Sequence, residues 1–472
     1  MSTFSVQNFG CRATEADASA LRRQLVSNGL TLAQDDYRAD IIVLNTCTVT
    51  AAADAQARET VRKIHRANPS ARIVVTGCYA QRAPEEVASL PGVGLVVGNS
   101  HFSEIPHALA RLGANAVVDP HEPASGFVSL ARLGEPMSLA NGPAKILTGD
   151  IFASAGISID PLSAFQPDRT RPILKVQDGC NHRCSYCVIP FVRGRSRSMP
   201  VAAVVQEIRR LTGLGAKEIV LSGINLGSYG RDLAPRSSLA RLVDQILDET
   251  HLERLRFSSI EPQDVTRDFV ELAASSARIA PHFHVPLQSG SNRMLKAMHR
   301  WYRAEHYAER IGLIRRALPN AAIGADVIAG FPGETEKDFA ETVELVEKAP
   351  FSYLHAFSFS SRPGTEAATL ASTPVSEAVI RDRARTLRAI GARKAAAFRQ
   401  CRTSNWEWAL TLDKRGSGWT ECLTGNYLSV RVAGHVAANQ WVRVRVTRSP
   451  DEIASEYSFE TGIERQAAQA VD

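Results

Sequence analysis

The chain has 472 residues, of which 44% are hydrophobic and 22% are charged, and its formal net charge is +6. The length and apolar content predict a globular chain of several domains, and the weak positive charge only hints at a polyanionic partner. No apolar run approaches the roughly 20 residues that span a bilayer, and the first residues lack a secretory signal, so we expect a cytoplasmic protein with no membrane partner. Eight cysteines are too few for a disulfide scaffold in so long a chain, which indicates reduced thiols.

In residues 1–115, short apolar runs alternate with helical patterns. This alternation predicts an N-terminal α/β domain with a small parallel sheet. The predicted strands are residues 4–9, 41–44, 73–76 and 95–97, and the helices between them include residues 16–27 and 51–67.

Three cysteines of this domain, Cys11, Cys47 and Cys78, each lie two or three residues beyond a predicted strand and before a helix. Open parallel sheets bind ligands at that edge, so the three thiolates could converge on one point. Any one of them alone would be better explained as a buried core cysteine. The repeated placement favours a metal cluster that has three protein ligands.

Residues 116–168 predict a linker between domains, since Gly, Pro, Ser and Ala are scattered among short apolar pieces. Two of these pieces, residues 127–130 and 146–147, are candidates for a stray strand. Residues 169–400 then predict a second series of strands and helices that form an open (β/α)6 partial barrel. Its predicted strands are residues 173–176, 218–222, 255–259, 282–286, 323–328 and 353–357, with helices that include residues 201–214, 304–318 and 336–348.

Cys180, Cys184 and Cys187 follow the first barrel strand, at the face where barrels hold their active sites. A structural iron–sulfur cluster is normally held by four cysteines, so this C-x3-C-x2-C triad would leave one iron open to the amino and carboxylate groups of S-adenosylmethionine (SAM). The alternative is half of a zinc site. Zinc ribbons pair two C-x2-C knuckles or add histidines at set spacing, whereas His182 lies inside the triad, so the spacing favours a 4Fe–4S cluster.

Small and polar residues near the cysteine triad and at other strand ends of the barrel are candidates to bind SAM. They are Tyr186, Ser222, Gly223, Glu261, Gln288, Ser289 and Asp326. Gly223 would let the backbone approach the methionyl amino group, Glu261 could accept hydrogen bonds from a ribose, and Tyr186 could lie beside the adenine. For each polar residue the alternative is a turn or helix cap, and for Tyr186 it is a packing aromatic.

In residues 401–466, large apolar residues alternate with other residues at 406–412, 427–432 and 441–446. This alternation predicts the strands of a small β-barrel. Four of the five tryptophans lie in this segment, and residues 402–448 carry seven Arg or Lys against three acids. Aromatic and cationic groups on a small barrel suit single-stranded RNA, whose bases stack and whose phosphates pair with arginine. Tryptophans in small barrels are more often core residues, so we assign only one or two of them to RNA.

Seven motifs resemble, in their order along the chain, those of the radical-SAM methylthiotransferase family. They are NTCTVT at residues 45–50, VTGCYAQ at 75–81, DGCN at 178–181, CSYCVIP at 184–190, RGRSRS at 193–198, PLQSGS at 286–291 and GFPGET at 330–335. The C-terminal segment resembles the TRAM RNA-binding module. Together these features cover the chain from about residue 5 to residue 445.

The resemblance implies two 4Fe–4S clusters and SAM as cofactors. The cluster on Cys180, Cys184 and Cys187 would pass an electron to SAM and give a 5′-deoxyadenosyl radical, which abstracts hydrogen from an unactivated carbon. The cluster on the three N-terminal cysteines would carry a sulfur species, methylated by a second SAM. The implied partners are a tRNA anticodon stem-loop and an electron donor such as a flavodoxin. One position departs from the family pattern, since Thr14 stands where an asparagine is frequent.

Branches of this family modify either a tRNA adenosine next to the anticodon or an aspartate of a ribosomal protein. The motifs most similar to the branch acting on N6-threonylcarbamoyladenosine are SY at residues 185–186, RSRS at 195–198, LGSYG at 226–230 and LRFSSIEP at 255–262. The isopentenyladenosine branch and the ribosomal-protein branch are the alternatives. A non-catalytic RNA-binding protein with structural clusters is a further alternative, but such a cluster gains nothing from a missing fourth thiolate.

Overall fold

The structure is a computed structural model that describes residues 2–113, 144–153, 170–370, 374–454 and 456–459. The chain divides into two compact units. The first comprises Met1–Phe165 and Phe191–Gly194, and the second comprises Gln166–Pro190 and Arg195–Asp472. Among the described residues, no helix has the length and apolar character needed to cross a membrane.

The first unit contains a six-stranded sheet in the order β2-β1-β3-β4-β5-β6, and every pairing in it is parallel. Its elements are β1 (Thr3–Asn8), α1 (Arg12–Ser27), β2 (Thr31–Leu32), β3 (Ile41–Thr46), α2 (Ala51–Ala67), β4 (Arg72–Gly77), α3 (Cys78–Arg82), α4 (Pro84–Ala88), β5 (Val93–Gly98), α5 (Ile105–Gly113) and β6 (Lys145–Leu147). Strands β3 and β5 are buried along their whole length, as expected for a parallel sheet with both faces covered.

The four predicted strands of this unit are confirmed as β1, β3, β4 and β5. Residues 146–147, predicted as a stray piece of a linker, belong to β6, which pairs in parallel with β5 and extends the sheet. A three-residue strand is too short to show a periodic pattern, which explains why the sequence did not place it there. Residues 127–130 lie outside the described residues.

The second unit begins with six parallel strands, β7, β9, β10, β11, β12 and β13, that form an open barrel. Its elements are β7 (Ile173–Asp178), β8 (Arg197–Ser198), α7 (Val201–Gly213), β9 (Glu218–Gly223), α8 (Leu239–Glu249), β10 (Arg254–Phe257), α9 (Arg267–Ser275), β11 (His282–His284), α10 (Asn292–Ala297), α11 (Ala304–Ala317), β12 (Ala322–Ala329), α12 (Glu336–Lys348), β13 (Tyr353–Ser358), α13 (Glu366–Thr369) and α14 (Glu377–Arg402). Between β7 and β8 the chain forms α6 (Ile189–Arg193), whose residues from Phe191 onward belong to the first unit. Parallel bridges from Ser259 to His284 and from Leu255 to Ile279 join the two halves of this strand layer. The predicted (β/α)6 partial barrel is therefore confirmed. A short antiparallel strand on β7, namely β8, was not foreseen.

A six-stranded sheet in the order β18-β16-β15-β14-β17-β19 ends the second unit and curls into a half-barrel. Its strands are β14 (Trp406–Gly416), β15 (Trp419–Thr424), β16 (Ser429–Ala433), β17 (Trp441–Arg445), β18 (Ile453–Ala454) and β19 (Tyr457–Phe459). Small apolar side chains such as Val430, Val432 and Val442 fill its core. The strands predicted at residues 406–412, 427–432 and 441–446 are confirmed as β14, β16 and β17, whereas β15, β18 and β19 were missed.

A buried ionic cluster joins the barrel to this C-terminal sheet. The carboxylate of Glu218 on β9 is fully buried and accepts hydrogen bonds from Arg256 at 2.7 Å, Arg254 at 3.3 Å and Arg171 at 3.4 Å. Arg256 also donates to the backbone oxygens of Thr424 and Gly425, at 3.1 and 2.9 Å.

Arg254 makes the second connection to the C-terminal sheet. Its guanidinium lies 4.3 Å from the ring centre of Trp441 and donates to the carbonyl oxygen of Trp408 at 3.0 Å. The C-terminal sheet is thus held to the barrel strands by charged groups shielded from water.

Candidate functional site

The N-terminal unit gathers Cys11, Cys47 and Cys78 at the carboxyl edge of its sheet. Cys11 immediately precedes α1, and Cys78 is the first residue of α3. A Cβ at Gly10 would lie only 2.8 Å from the Cβ of Cys47, so a glycine is needed for the two loops to approach each other. Burial, followed by the charges of the other two thiols, raises the pKa of Cys47 to about 12. Because Cys11 and Cys78 both affect the pKa of Cys47, the three cysteines lie close together in the structure.

Arg193 is the cation of this N-terminal site. Residues 191–194 belong to the first unit, and Arg193 donates from Nε to the sulfur of Cys78 at 3.3 Å. Its other end pairs with the buried carboxylate of Asp17 at 2.9 Å, which fixes the guanidinium in place. Burial raises the pKa of Cys78, while Arg193 acts in the opposite direction by favouring the thiolate. A second donor, the side chain of Asn99, lies 3.6 Å from the same sulfur.

The donor set of this site fits an iron–sulfur cluster with one iron that has no protein ligand. Iron clusters are bound by thiolates, and a hydrogen-bond donor to a sulfur tunes the cluster. Thr14, at the position where the sequence departs from the family pattern, is buried and donates to the carbonyl oxygen of Cys11 at 2.8 Å. Its hydroxyl therefore supports the Cys11 loop.

The Cys180–Cys187 loop of the second unit is held by Gln177 on β7. The side-chain amide of Gln177 donates to the carbonyl oxygens of Asp178 and Gly179, at 3.0 and 2.8 Å. Its side-chain oxygen accepts the backbone N–H of Asn225, at the end of β9, at 2.7 Å. One buried side chain thus fixes the start of the cysteine loop relative to the neighbouring strand.

The sulfurs of this loop lie close together and near one buried cation. Burial, followed by the neighbouring thiol of Cys184, raises the pKa of Cys187 to about 12. Burial also raises the pKa of Cys180 to about 11, with a smaller contribution from Cys184. Arg300 donates to the sulfur of Cys184 at 3.2 Å. The backbone N–H of His182 lies 3.4 Å from the sulfur of Cys180. Three thiols and a cation suit a cluster, whose bound iron would compensate the charge of the thiolates.

A cleft with a volume of about 210 Å³ adjoins the cysteine loop. Its walls consist of polar side chains, namely Asn181, His182, Ser196, Asn225, Ser228, Arg231 and Asp232. The ring of His182 faces the side-chain amides of Asn225 and Gln263, at 3.5 and 3.2 Å, and burial lowers the pKa of this histidine.

Two of the predicted SAM contacts, Ser222 and Gly223, lie at the end of β9, next to the cysteine loop. The hydroxyl of Ser222 is buried and has no hydrogen-bond partner among the described residues. A Cβ at Gly223 would lie 2.8 Å from the side-chain oxygen of Gln177. An unpaired buried hydroxyl and a close backbone approach fit a polar ligand such as SAM at this strand end.

Glu261 and Tyr186 both lie near Arg300. The carboxylate of Glu261 forms a close ion pair with Arg300, so this side chain already has a partner. Tyr186 packs against the apolar group of Met294, Met298 and Phe331. The structure therefore brings both residues to the cysteine site, and their contacts with SAM stay predictions.

Gln288, Ser289 and Asp326 have different surroundings. Gln288 has a φ of 68°, a left-handed turn conformation. Ser289 is fully buried, with its hydroxyl 3.1 Å from that of Thr342, so it already supports the turn. Asp326 pairs with His284 and with a further histidine on the inner face of the barrel. Their roles toward SAM also stay predictions.

Comparison with known proteins identifies the family. Residues 3–98 match the model of the uncharacterized protein family UPF0004, and residues 174–346 match that of the radical SAM superfamily. The threonylcarbamoyladenosine tRNA methylthiotransferase MtaB of Aquifex aeolicus is 34% identical over 441 residues, which cover 93% of this chain and 99% of the relative. The chain belongs to the radical-SAM methylthiotransferase family. The tRNA-2-methylthio-N(6)-dimethylallyladenosine synthase of Desulforamulus reducens is also 34% identical, over 81% of this methylthiotransferase and 79% of that relative.

A solved structure supports the fold of the methylthiotransferase. The radical S-adenosylmethionine methyltransferase TsrM of Kitasatospora setae, with cobalamin and a 4Fe–4S cluster bound, matches with a TM-score of 0.51 and 17% identity. The match covers 78% of this chain and 77% of that one. At this identity the similarity concerns the fold alone. The family assignment, in contrast, shows that the enzyme uses SAM and iron–sulfur chemistry.

Sequence reasoning missed two cations of the methylthiotransferase, Arg193 and Arg300, each bonded to a cysteine sulfur. Arg193 belongs to the motif at residues 193–198, which carried the family resemblance but gave no role to this side chain. Arg300 had no sequence signal, because its contact with Cys184 joins positions more than a hundred residues apart along the chain.

Proposed function

We propose that this methylthiotransferase inserts a methylthio group at C2 of N6-threonylcarbamoyladenosine in tRNA. The observation that carries the proposal is the pair of three-cysteine sites, each at a carboxyl strand edge of its own parallel sheet. Relatives that bear this activity in their names are 31–36% identical over 78–93% of this chain. Modification of isopentenyladenosine or of a ribosomal protein is therefore not favoured.

The barrel site would hold one cluster and SAM. Cys180, Cys184 and Cys187 would bind the cluster through three irons, and Ser222 and Gly223 would receive the polar end of SAM. When bound, the cluster and SAM supply a 5′-deoxyadenosyl radical that can abstract hydrogen from carbon. Arg300 would position Cys184 by donating a hydrogen bond to its sulfur.

The N-terminal site would hold the second cluster on Cys11, Cys47 and Cys78. Arg193 would stabilise the Cys78 thiolate that such a cluster requires, since a cation 3.3 Å away favours the charged form of the sulfur. The missing fourth cysteine would leave room for an exogenous sulfur species at this site. The two clusters would thus divide the work, one for hydrogen abstraction and one for sulfur delivery.

The C-terminal sheet would contribute to binding the anticodon stem-loop. Trp406 is 41% exposed, and the guanidinium of Arg443 lies 5.7 Å from its ring centre, which gives a platform for a stacked base and its phosphate. Trp441 is only 4% exposed and packs on Arg254, so it serves the core. A cytoplasmic electron carrier such as a flavodoxin would supply the electron.

The proposal is tested with the anaerobically reconstituted protein, SAM, a reductant and tRNA that carries threonylcarbamoyladenosine. Mass spectrometry of digested nucleosides detects the methylthio product, and chromatography detects deoxyadenosine. The Cys184→Ala variant should lose both products, whereas Cys47→Ala should lose the methylthio product and still form deoxyadenosine. A Cys47→Ala variant that methylthiolates tRNA at the wild-type rate would refute the role of the N-terminal site.

A further inference from the structure

Three potential metal ligands meet on the inner face of the barrel, on three consecutive strands. They are His284 on β11, Asp326 on β12 and His355 on β13. Phe283 packs against Phe269 of α9, on the outer layer, so the alternating side chain of His284 points inward. The register pairs Asp326 directly with His355 and places His284 opposite Gly324, two residues before Asp326, from where the ring of His284 reaches the Asp326 carboxylate.

The distances in this cluster suit one metal ion. Nε2 of His284 and Nδ1 of His355 lie 3.0 and 3.1 Å from the same oxygen, Oδ1 of Asp326. The three candidate ligand atoms all lie within 4.8 Å of one another. Ligands bound at about 2.1 Å and at right angles to each other are separated by about 3 Å. Both imidazoles are therefore spaced from the carboxylate oxygen as neighbouring ligands of one metal are, and the two imidazole nitrogens lie within 4.8 Å of each other.

A neighbouring tyrosine orients His284 as outer-shell residues orient metal ligands. The hydroxyl of Tyr353 lies 3.0 Å from Nδ1 of His284 and 2.8 Å from Nε2 of His282. In one arrangement, Nδ1–H of His284 donates to this hydroxyl and the hydroxyl donates to His282. Nε2 of His284 then carries no proton, and its lone pair is free to bind a metal. The hydrogen-bond chain is thus compatible with the tautomer that binds a metal.

We propose that His284, Asp326 and His355 form a mononuclear site for a first-row divalent cation such as Zn²⁺ or Fe²⁺. Two imidazoles and one carboxylate carry a net negative charge when the imidazoles are neutral, and this donor set is typical of such ions. His284 is 7% exposed, Asp326 25% and His355 55%, so one side of the cluster is open. The open side leaves room for water or an oxygen ligand from a substrate. The site shares no residue with either cysteine set, and the proposal does not depend on the proposed function.

Zinc is the probe for the test. The full-length, cluster-loaded protein is incubated anaerobically with Zn²⁺, desalted and analysed for zinc and iron by mass spectrometry. Wild type should retain about one more zinc ion per chain than Asp326→Asn or His355→Ala. The control His306→Ala changes an exposed histidine of α11 and should match wild type.

Two further readouts separate a metal site from a hydrogen-bonded cluster. Tyr353→Phe removes the partner of His284 and should weaken zinc binding about 10-fold or more. Iron content and the visible absorbance of the clusters should stay the same in all variants, which shows that they fold and that the zinc difference does not come from the cysteines. Equal zinc retention by wild type, Asp326→Asn and His355→Ala would overturn the proposal.

Discussion

Replacing Glu218 with glutamine tests the buried cluster that joins the barrel to the C-terminal sheet. The substitution keeps the shape of the side chain and removes the charge that Arg171, Arg254 and Arg256 share. Breaking a buried ion pair by removing one partner costs about 3–5 kcal/mol, because the remaining charges stay buried without compensation. We therefore expect Glu218→Gln to destabilise the C-terminal sheet and its attachment by about 3–5 kcal/mol.

Urea unfolding followed by tryptophan fluorescence measures this loss, because four of the five tryptophans lie in the C-terminal segment. The control is Glu249→Gln, the same substitution in an exposed pair with Arg209, which should change stability by less than about 1 kcal/mol. If Glu218→Gln unfolds at the same urea concentration as the control, the cluster does not hold the C-terminal sheet.

The same carboxylate gives the prediction a pH dependence. Burial alone would raise the pKa of Glu218, but Arg256, Arg254 and Arg171 outweigh it and lower the pKa from 4.5 to about 2. A carboxylate whose pKa is lowered on folding stabilises the folded state above pH 4.5, and this contribution is lost as the pH falls toward about 2. The stability difference between wild type and Glu218→Gln should accordingly shrink below pH 4.5. A constant difference across this range would contradict the charge-based explanation.

Two further predictions concern single side chains. Arg193→Gln should weaken iron binding at the N-terminal site about 10–100-fold, because the hydrogen-bond donor to the Cys78 sulfur is lost. Iron titration measures the affinity, and the substitution Arg195→Gln at an exposed position serves as the control. Equal iron affinities of the two variants would exclude this role of Arg193. Trp301 is 74% exposed and follows Arg300 in the chain, and we expect its ring to stack on a tRNA base. Trp301→Ala should therefore weaken tRNA binding about 10-fold. The control Leu214→Ala, at another exposed apolar position, should not weaken it. Filter binding that shows no loss for Trp301→Ala would rule out the stacking contact.

Much of the architecture could be predicted because its signals are local. The strands before Cys47 and Cys78 contain continuous apolar runs, and the strand before Cys11 alternates apolar and polar residues. The spacing of Cys180, Cys184 and Cys187 is contained in eight residues. The repeated strand and helix patterns were sufficient to predict a partial barrel. Short strands such as β2 and β8, with two residues each, have no pattern to detect.

The charged contacts could not be predicted, because they join distant parts of the chain. Glu218 pairs with two arginines of β10 and with Arg171 before β7, and the two arginines of β10 also donate to carbonyl oxygens of the C-terminal segment. The same reason applies to Asp326, which the sequence made a candidate SAM contact on a barrel strand without indicating its histidine partners. Its two histidine partners come from the neighbouring strands, and only the folded sheet brings both rings within hydrogen-bond distance of its carboxylate.

The central claim is tested most directly by a choice between substrates. The reconstituted protein is given SAM, a reductant and an equal mixture of tRNAs that carry either threonylcarbamoyladenosine or isopentenyladenosine, and the digested nucleosides are analysed by mass spectrometry. The account predicts that the methylthio group is added to threonylcarbamoyladenosine. A methylthio group found on isopentenyladenosine, with threonylcarbamoyladenosine unmodified, would contradict it.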